Sequence, residues 1–385
     1  MAPDPCAGRR RGRASVAPVS VSPVRRQDTL IVGGGPAGTA TAIGLALGGK
    51  TALLVERERH SADPLCGGFL SWTALRRLER LGLDVAALGA RRITRLSLIA
   101  GTRVVTTDLP APAASLSRAT LDAALQSRAQ SLGVEIERGV HVRDIDGDGA
   151  RCADGRLIEA DRIVLATGKH ELRGYPRETR SVDPIIGLRW RLTLSPQMMA
   201  RIDGVIELHC FRGGYAGLAL QEDGRANLCL AIRQSRFDEC GKKPSGVVRA
   251  LGEELPVLAE RLHHSTRIED SAAIANVPYG WRYDPAAQST FYRVGDQAGV
   301  IASLSGEGIS LALASGLAAA RSLLTGETPD RFHATFLPVL RKPVTVAQTG
   351  MQLVERPVGA WLTANVAAMF PGLARVSAKA MRITR

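Results

Sequence analysis

The residues with the clearest chemical purpose are three glycines. Gly33, Gly35 and Gly38 stand in the spacing G-x-G-x-x-G, directly after the apolar run Thr29-Leu30-Ile31-Val32 and before a stretch of small apolar residues ending at Leu47. At a strand-to-helix junction this spacing has a physical meaning. The first glycine allows the tight turn, the second lets the backbone approach a pyrophosphate, and the third lets the helix lie close on the strand. Pro36 suits a first helical turn, where its missing N–H has no partner to lose. With Ala37 it opens a helix whose N-terminus offers free N–H groups to phosphate oxygens. A second strand pattern, Thr51–Val55, ends at Glu56, which lies 18 residues beyond Gly38. That is close to the ~20 expected of a carboxylate that binds adenosine ribose hydroxyls. Gly33, Gly35, Pro36, Ala37, Gly38, Glu56 and the adjoining Arg57 therefore form a candidate dinucleotide site. This unit does not separate FAD from NAD.

The far end of the chain separates them. Phe291-Tyr292-Arg293-Val294 reads as a strand leading into Gly295-Asp296, and Gly306-Glu307-Gly308-Ile309 then opens an apolar helix reaching Leu324. The arrangement resembles the flavoprotein class that includes p-hydroxybenzoate hydroxylase, geranylgeranyl reductases, flavin-dependent halogenases and electron-transferring-flavoprotein dehydrogenases. The resemblance implies FAD as cofactor, with Asp296 on the ribityl chain and the helix near Gly308 aimed at the pyrimidine edge of the flavin. A helix N-terminus there stabilises the negative charge of reduced flavin. Ser117-Arg118, followed by Leu121 and Leu125, resembles the class's R-x-x-L-x-x-x-L helix start, which places Arg118 beside the flavin. Asp161 to Gly168 resembles its strand ending in A-T-G, which brings Thr167 and Gly168 to the cofactor. Cys66-Gly67-Gly68 resembles the C-G-G stretch of geranylgeranyl reductase-like proteins, in which the glycines lie near the flavin ring. Cys66 has two readings: a group touching flavin or substrate, or a small buried residue.

These segments must be positioned by an α/β fold, a Rossmann-type FAD-binding domain with an antiparallel-sheet substrate domain. The expected layout is a basic disordered tail over 1–27 and a first FAD-binding part over 28–180, interrupted by a substrate-domain insertion at about 71–110. An antiparallel substrate sheet over 181–285, the second FAD-binding part over 286–330 and a helical region over 331–385 complete it. Alternating runs at Ile185–Leu194, Val205–Phe211, Tyr215–Leu220 and Asn227–Ile232, with a turn signal at Glu222-Asp223-Gly224-Arg225, supply the sheet. Leu218, Leu228 and Leu230 either line an apolar pocket or form the sheet's own core. His209, Arg212 and Tyr215 bracket a Gly-Gly step and, with Cys66, are the candidates for orienting or converting a substrate.

Composition narrows the rest. The 385-residue chain has six cysteines and no C-x-x-C pair, which argues against a zinc site, a redox pair or a secreted disulfide framework. Asp144-Ile-Asp146-Gly-Asp148-Gly149 starts like a calcium loop, but Gly155 stands where a glutamate is needed, so a hairpin is expected and no metal site. The formal charge of +13 divides unevenly: residues 1–28 carry +4 and residues 341–385 carry +6. The centre is nearly balanced, so no nucleic-acid surface is expected. The N-terminal stretch lacks the apolar core of a secretory signal. A cytoplasmic setting fits best. Around Trp361, Phe370, Leu373, Arg375, Lys379, Arg382 and Arg385 apolar and basic residues alternate, with two readings: a cap on the flavin domain, or a peripheral contact with the inner face of a membrane.

The resemblance implies an oxidoreductase, and the leading expectation is a reductase passing hydride from reduced flavin to an apolar isoprenoid, polyketide or quinone-like substrate. A monooxygenase using NAD(P)H and oxygen is the alternative, with a non-catalytic flavin-binding protein third. Where the hydroxylases carry an aspartate-glycine step, this chain has Thr167-Gly168-Lys169-His170. A single dinucleotide unit implies that electrons come from a transient NAD(P)H or from an electron-donor protein.

Overall fold

The computed structural model describes residues 25–60, 63–146, 149–177, 181–268, 272–285 and 289–384. The expected tail lies outside these up to residue 24, as do Gly147 and Asp148 of the calcium-like turn.

The first sheet grows from the strand Arg25–Val32. Leu53–Glu56 pairs with it in parallel on one side and Leu157–Leu165 on the other. Glu135–Arg138 extends the sheet beyond Leu53–Glu56, and Tyr292–Arg293 pairs in parallel with the end of Leu157–Leu165. Leu30, Ile31, Leu53, Leu54, Val164 and Leu165 are fully buried. That explains why these strands read as continuous apolar runs rather than as alternation: helices and loops cover both faces of the sheet. The segments Val142–Asp146 and Gly149–Cys152 form an antiparallel hairpin at its edge.

The helix Pro36–Leu47 lies on this sheet, and the helix Gly308–Leu324 packs against that helix. They approach so closely that a Cβ on Gly316 would stand 2.3 Å from the Ala37 carbonyl oxygen, and one on Gly44 would stand 2.6 Å from the Ala320 Cβ. The small-residue composition of both helices is thus a packing requirement. It joins the first 50 residues to the segment 260 or more residues later that completes the domain.

The second sheet has nine strands. Ile185–Leu194, Ala226–Arg233, Gly214–Leu220 and Val205–Phe211 run antiparallel in that spatial order. Arg91–Ala100 then adds in parallel, with Leu98 opposite Leu208, and Arg103–Ser115 follows antiparallel. The inserted segment therefore belongs to this sheet and runs to Ser115, past the expected boundary near 110. The chain ends in a long helix, Pro329–Val354, and two shorter ones, Pro357–Met369 and Pro371–Ala380. No helix among the described residues is long and apolar enough to cross a membrane.

Candidate active site

The glycine turn closes the C-terminal edge of the first sheet. Gly33 has φ +112°, and a Cβ there would lie 2.4 Å from the Ala166 carbonyl oxygen, so only glycine fits. A Cβ on Gly38 would lie 1.9 Å from the Gly33 oxygen. The first intrahelical bond runs from the Thr39 N–H to the Gly35 carbonyl, 3.0 Å. The N–H groups before Thr39 have no intrahelical acceptor, and Gly35, Pro36 and Ala37 line a cavity of about 1060 Å³. The Glu56 carboxylate stands at the same edge, accepting from the Gly34 N–H at 2.6 Å and the Glu58 N–H at 2.8 Å. Arg57 lines the cavity beside it, paired with Glu58 at 2.7 Å.

The second half of the site is brought in by direct contact. Gly295, at φ +61°, sits so close that a Cβ would be 3.0 Å from that of Ala37, and its N–H donates to Ser315 Oγ at 2.8 Å. Asp296 follows, half-buried on the cavity wall, and its carboxylate accepts no protein hydrogen bond among the described residues. Gln297 and the buried Arg177 tie this turn to the one after the A-T-G strand. The Gln297 Nε2 donates to Thr167 Oγ1 and to the Gly168 and His170 carbonyls, each at 3.0 Å, and Arg177 donates to the Gly168 and Asp296 carbonyls at 3.1 and 3.2 Å. Thr167 and Gly168 thereby line the cavity as well.

Arg118 opens the helix Arg118–Ser131, capped by Ser117. Its guanidinium forks onto Asp122 at 2.8 and 2.6 Å. Burial by itself would lower the Arg118 pKa, but Asp122 outweighs it and holds the group above the usual arginine range. Arg118 therefore presents a fixed positive charge to the cavity. Cys66, Gly67 and Gly68 line it too; Asn227 Nδ2 donates to the Cys66 carbonyl at 3.0 Å. Gly306, just before the helix Gly308–Leu324, and Gly308 and Ile309 on that helix face the cavity.

Glu307 does not. It is fully buried, and its carboxylate turns away to Arg382 at 2.7 Å and to the Ile383 N–H at 3.2 Å. The expected cofactor contact at Glu307 is thus replaced by a latch on the C-terminal segment, and Arg382 is withdrawn from the basic surface to which its sequence assigned it.

The substrate candidates separate in the same way. Tyr215 lines the cavity, whereas His209 and Arg212 do not. His209 is fully buried behind the sheet, 3.1 Å from Glu207, which in turn takes Arg261 at 2.9 Å. Arg212 is exposed and paired with Glu239. Leu218, Leu228 and Leu230 pack in the core cluster with Trp190 and Val247, although Leu218 and Leu230 also border the cavity.

Three residues outside the sequence-based set enter instead. Lys169 lies in the cavity wall with Nζ 3.4 Å from the Leu65 carbonyl. Burial works against its charge, but Tyr279, Asp296 and Cys66 together raise it above the usual lysine range. Ser303 Oγ is hydrogen-bonded to the Tyr215 hydroxyl, and Tyr279 stands near both Ser303 and Lys169; both tyrosines line the cavity. Burial, reinforced by Tyr279, holds the Tyr215 hydroxyl well above the ordinary tyrosine range. Burial also raises Tyr279, with Lys169 and Ser303 opposing. The one signal for Lys169 was its position directly after Gly168, where the hydroxylases differ.

Free helix N–H groups, a glycine turn that side chains would fill, a carboxylate without a protein partner and a fixed cation converge on one cavity, as FAD requires. At about 1060 Å³ it lies at the upper end of the ~300–1,000 Å³ of small-molecule sites. Residues 26–166 match the family described as FAD binding domain. The chain is an FAD-dependent oxidoreductase. It is 26% identical to a chloroplastic geranylgeranyl diphosphate reductase of Oryza sativa subsp. japonica, over 83% of this chain and 72% of that one. It is 25% identical to menaquinone reductase of Mycolicibacterium smegmatis, over 79% and 78% respectively. Among solved structures it resembles the flavin-dependent brominase Bmp2, with a TM-score of 0.73 at 18% identity over 93% of this chain and 94% of that one. The last likeness is one of fold.

Proposed function

We propose that this FAD-dependent oxidoreductase is a reductase that saturates a carbon–carbon double bond of an apolar isoprenoid or quinone-like compound. The observation that carries this reading is the continuity of the cavity. The space beside the glycine turn runs on without a wall to Leu96, Leu98, Val105, Leu208 and Val354 beneath the second sheet. Apolar side chains there give binding energy to hydrocarbon and offer little to a charged molecule. The sequence relatives named reductases point the same way.

Bound FAD, when reduced, supplies a hydride to one carbon of such a bond. The other carbon needs a proton, and the Lys169–Tyr279–Ser303–Tyr215 group is placed to provide one. The Tyr279 hydroxyl donates it, the Lys169 ammonium stabilises the phenolate left behind, and water entering the cavity reprotonates that phenolate once product has left. The negative charge left on Tyr279 thus forms beside a buried cation. Arg118 and the free N–H groups before Thr39 hold the cofactor's phosphates, and Glu56 and Asp296 its two sugar-like hydroxyl sets. NAD(P)H is the proposed two-electron donor, becoming NAD(P)⁺; an electron-donor protein is the alternative.

Anaerobic reduction of the FAD-loaded protein by NADPH, followed by a prenylated quinone or a prenyl alcohol, tests the reading. Re-oxidation with loss of one double bond from the compound is the expected result. Re-oxidation only on admitting oxygen, with a hydroxylated product, would establish the monooxygenase. Flavin that neither NADPH nor dithionite can cycle with any compound would leave a binding protein.

A further inference from the structure

The helix Pro357–Met369 is apolar on both faces. Ala360 and Ala364 of Pro357–Met369 are buried against the second sheet, in a cluster that includes Leu98 and Cys210, and Ala367 on the same helix is buried as well. The opposite face is open. Trp361, Leu362, Met369, Phe370, Leu373 and Val376 are each between 52% and 65% exposed. Of the eleven large hydrophobic residues exposed among the described ones, eight fall between Leu353 and Val376. A helix that is apolar all round belongs in an apolar surrounding, and an exposed patch of this size marks an interaction surface.

Two observations indicate what covers it. The first is charge. Arg341 and Lys342 on Pro329–Val354, Arg356 just before Pro357–Met369, and Arg375 and Lys379 on Pro371–Ala380 are exposed, and no acidic residue follows Glu355 in the sequence. Arg375 approaches the exposed Asp108 at 3.7 Å. Apolar side chains rimmed by an excess of exposed cations match an anionic lipid interface. The second is the cavity. Leu353 and Leu373 belong both to its lining and to the exposed patch, at 48% and 53% exposure. Val366, Ala378 and Met381 continue the lining inward from these helices. The apolar end of the cavity thus reaches the surface inside the patch.

We propose that the helices Pro357–Met369 and Pro371–Ala380 lie in the interface of an anionic bilayer, and that the apolar substrate passes from the lipid into the cavity between Leu353 and Leu373. The substrate half of this statement rests on the reductase reading; the docking half does not. No spanning helix is involved: the helices rest at headgroup depth with Trp361 and Phe370 inserted and the basic residues against lipid phosphates.

The test uses the full chain loaded with FAD and two vesicle types, phosphatidylcholine alone and an equimolar mixture with phosphatidylglycerol. The protein is expected to float with the anionic vesicles and to be released as salt rises, because screening weakens the contribution of the exposed cations. Trp361→Glu combined with Phe370→Glu should lower vesicle binding at least about tenfold. Neither residue lines the cavity, so FAD content and turnover of substrate dispersed in detergent should stay at the wild-type level, while turnover of vesicle-dissolved substrate falls. Arg356→Glu with Arg375→Glu gives an independent variant that leaves the apolar residues in place, and it should bind anionic vesicles no better than neutral ones. Undiminished vesicle binding by both variants would overturn the proposal. So would a wild-type protein that ignores vesicles and instead forms a dimer abolished by the same substitutions. Wild-type protein that binds vesicles but reduces nothing in detergent would sink the reductase reading while the docking stands.

Discussion

Arg382→Ala is the substitution whose effect the structure constrains most tightly. Arg382 lies two residues before the end of the described chain, yet it is only 8% exposed. Its Nη1 donates to Glu307 Oε1 and to the Ser305 carbonyl, both at 2.7 Å, and its guanidinium lies 4.3 Å from the Trp72 ring centre. Glu307 is fully buried, so removing its paired cation leaves a carboxylate inside the fold that accepts from Thr73 at 3.3 Å and from the Ile383 N–H, itself on the released segment, with the Arg77 guanidinium the remaining positive charge near it. Truncating one partner of such a pair costs roughly 3–5 kcal/mol. At about 2 °C per kcal/mol, or somewhat less for a chain of this length, Tm should fall by roughly 5–10 °C. The loop that carries Glu307 also carries Gly306 and Gly308 on the cavity wall, so FAD affinity should fall about tenfold for each ~1.4 kcal/mol that reaches it. Thermal melts with and without excess FAD, with flavin fluorescence for affinity, read both effects. Glu307→Gln with Arg382→Met removes both charges and should be less destabilised than Arg382→Ala alone. An Arg382→Ala protein with wild-type Tm and wild-type FAD affinity would refute the latch.

Three further outcomes follow from the same geometry. Gly33→Ala places a methyl 2.4 Å from a carbonyl oxygen at φ +112°, and should yield protein that purifies without flavin, read from the visible spectrum. Tyr279→Phe should keep FAD and its reduction by NADPH but slow the substrate half-reaction by ~10²-fold or more, the usual weight of a lost general acid; an unchanged single-turnover rate would remove Tyr279 from the proton path. His333 is fully buried and accepts the Arg293 N–H at 3.1 Å, and burial, with Arg293, depresses its pKa to about 4 from the ordinary 6.5. Between those values the unfolded chain binds the extra proton, so stability should decline by up to about 3 kcal/mol as pH falls from 6.5 to 4. Denaturant midpoints across that range, compared with His333→Gln, check the slope.

What could be read from the chain beforehand was whatever is local in backbone terms. The turn at Gly33, the helix opened by Pro36 and the Gly295-Asp296 step each need particular residues at fixed spacing, and the sequence states that spacing openly. What escaped depended on side chains meeting from afar. Glu307 and Arg382 are 75 residues apart, and nothing in either segment announces the pair. Lys169, Tyr279 and Ser303 are single residues on turns, without periodicity. His209 is a different case, because the pattern that misplaced it also holds the correction. Cross-strand partners share a face: His209 lies opposite Ala216, and Tyr215 lies opposite Cys210. With Tyr215 turned to the cavity, period-two alternation puts His209 behind the sheet with Glu207.

The two ends of the cavity are mechanically connected through the chain's last residues. Ile383 gives its carbonyl to Arg77 at 2.7 Å, and Arg77 also reaches Ser310 Oγ at 2.9 Å, in the first turn of the helix that faces the flavin position. Arg382 holds Glu307 one residue before that helix. The helix Pro371–Ala380, which carries the exposed Leu373 and Val376, ends directly before this latch. A shift of the terminal helices relative to the sheet therefore cannot leave the Gly306–Gly308 loop untouched, because the intervening contacts are buried ion pairs and hydrogen bonds rather than a flexible linker. Buried contacts thus link the Leu373 end of the cavity to the helix Gly308–Leu324. A substitution in the latch should consequently alter flavin binding and access of apolar compounds together, whereas a substitution confined to Trp361 or Phe370, which touch neither latch nor lining, should leave the flavin as it is.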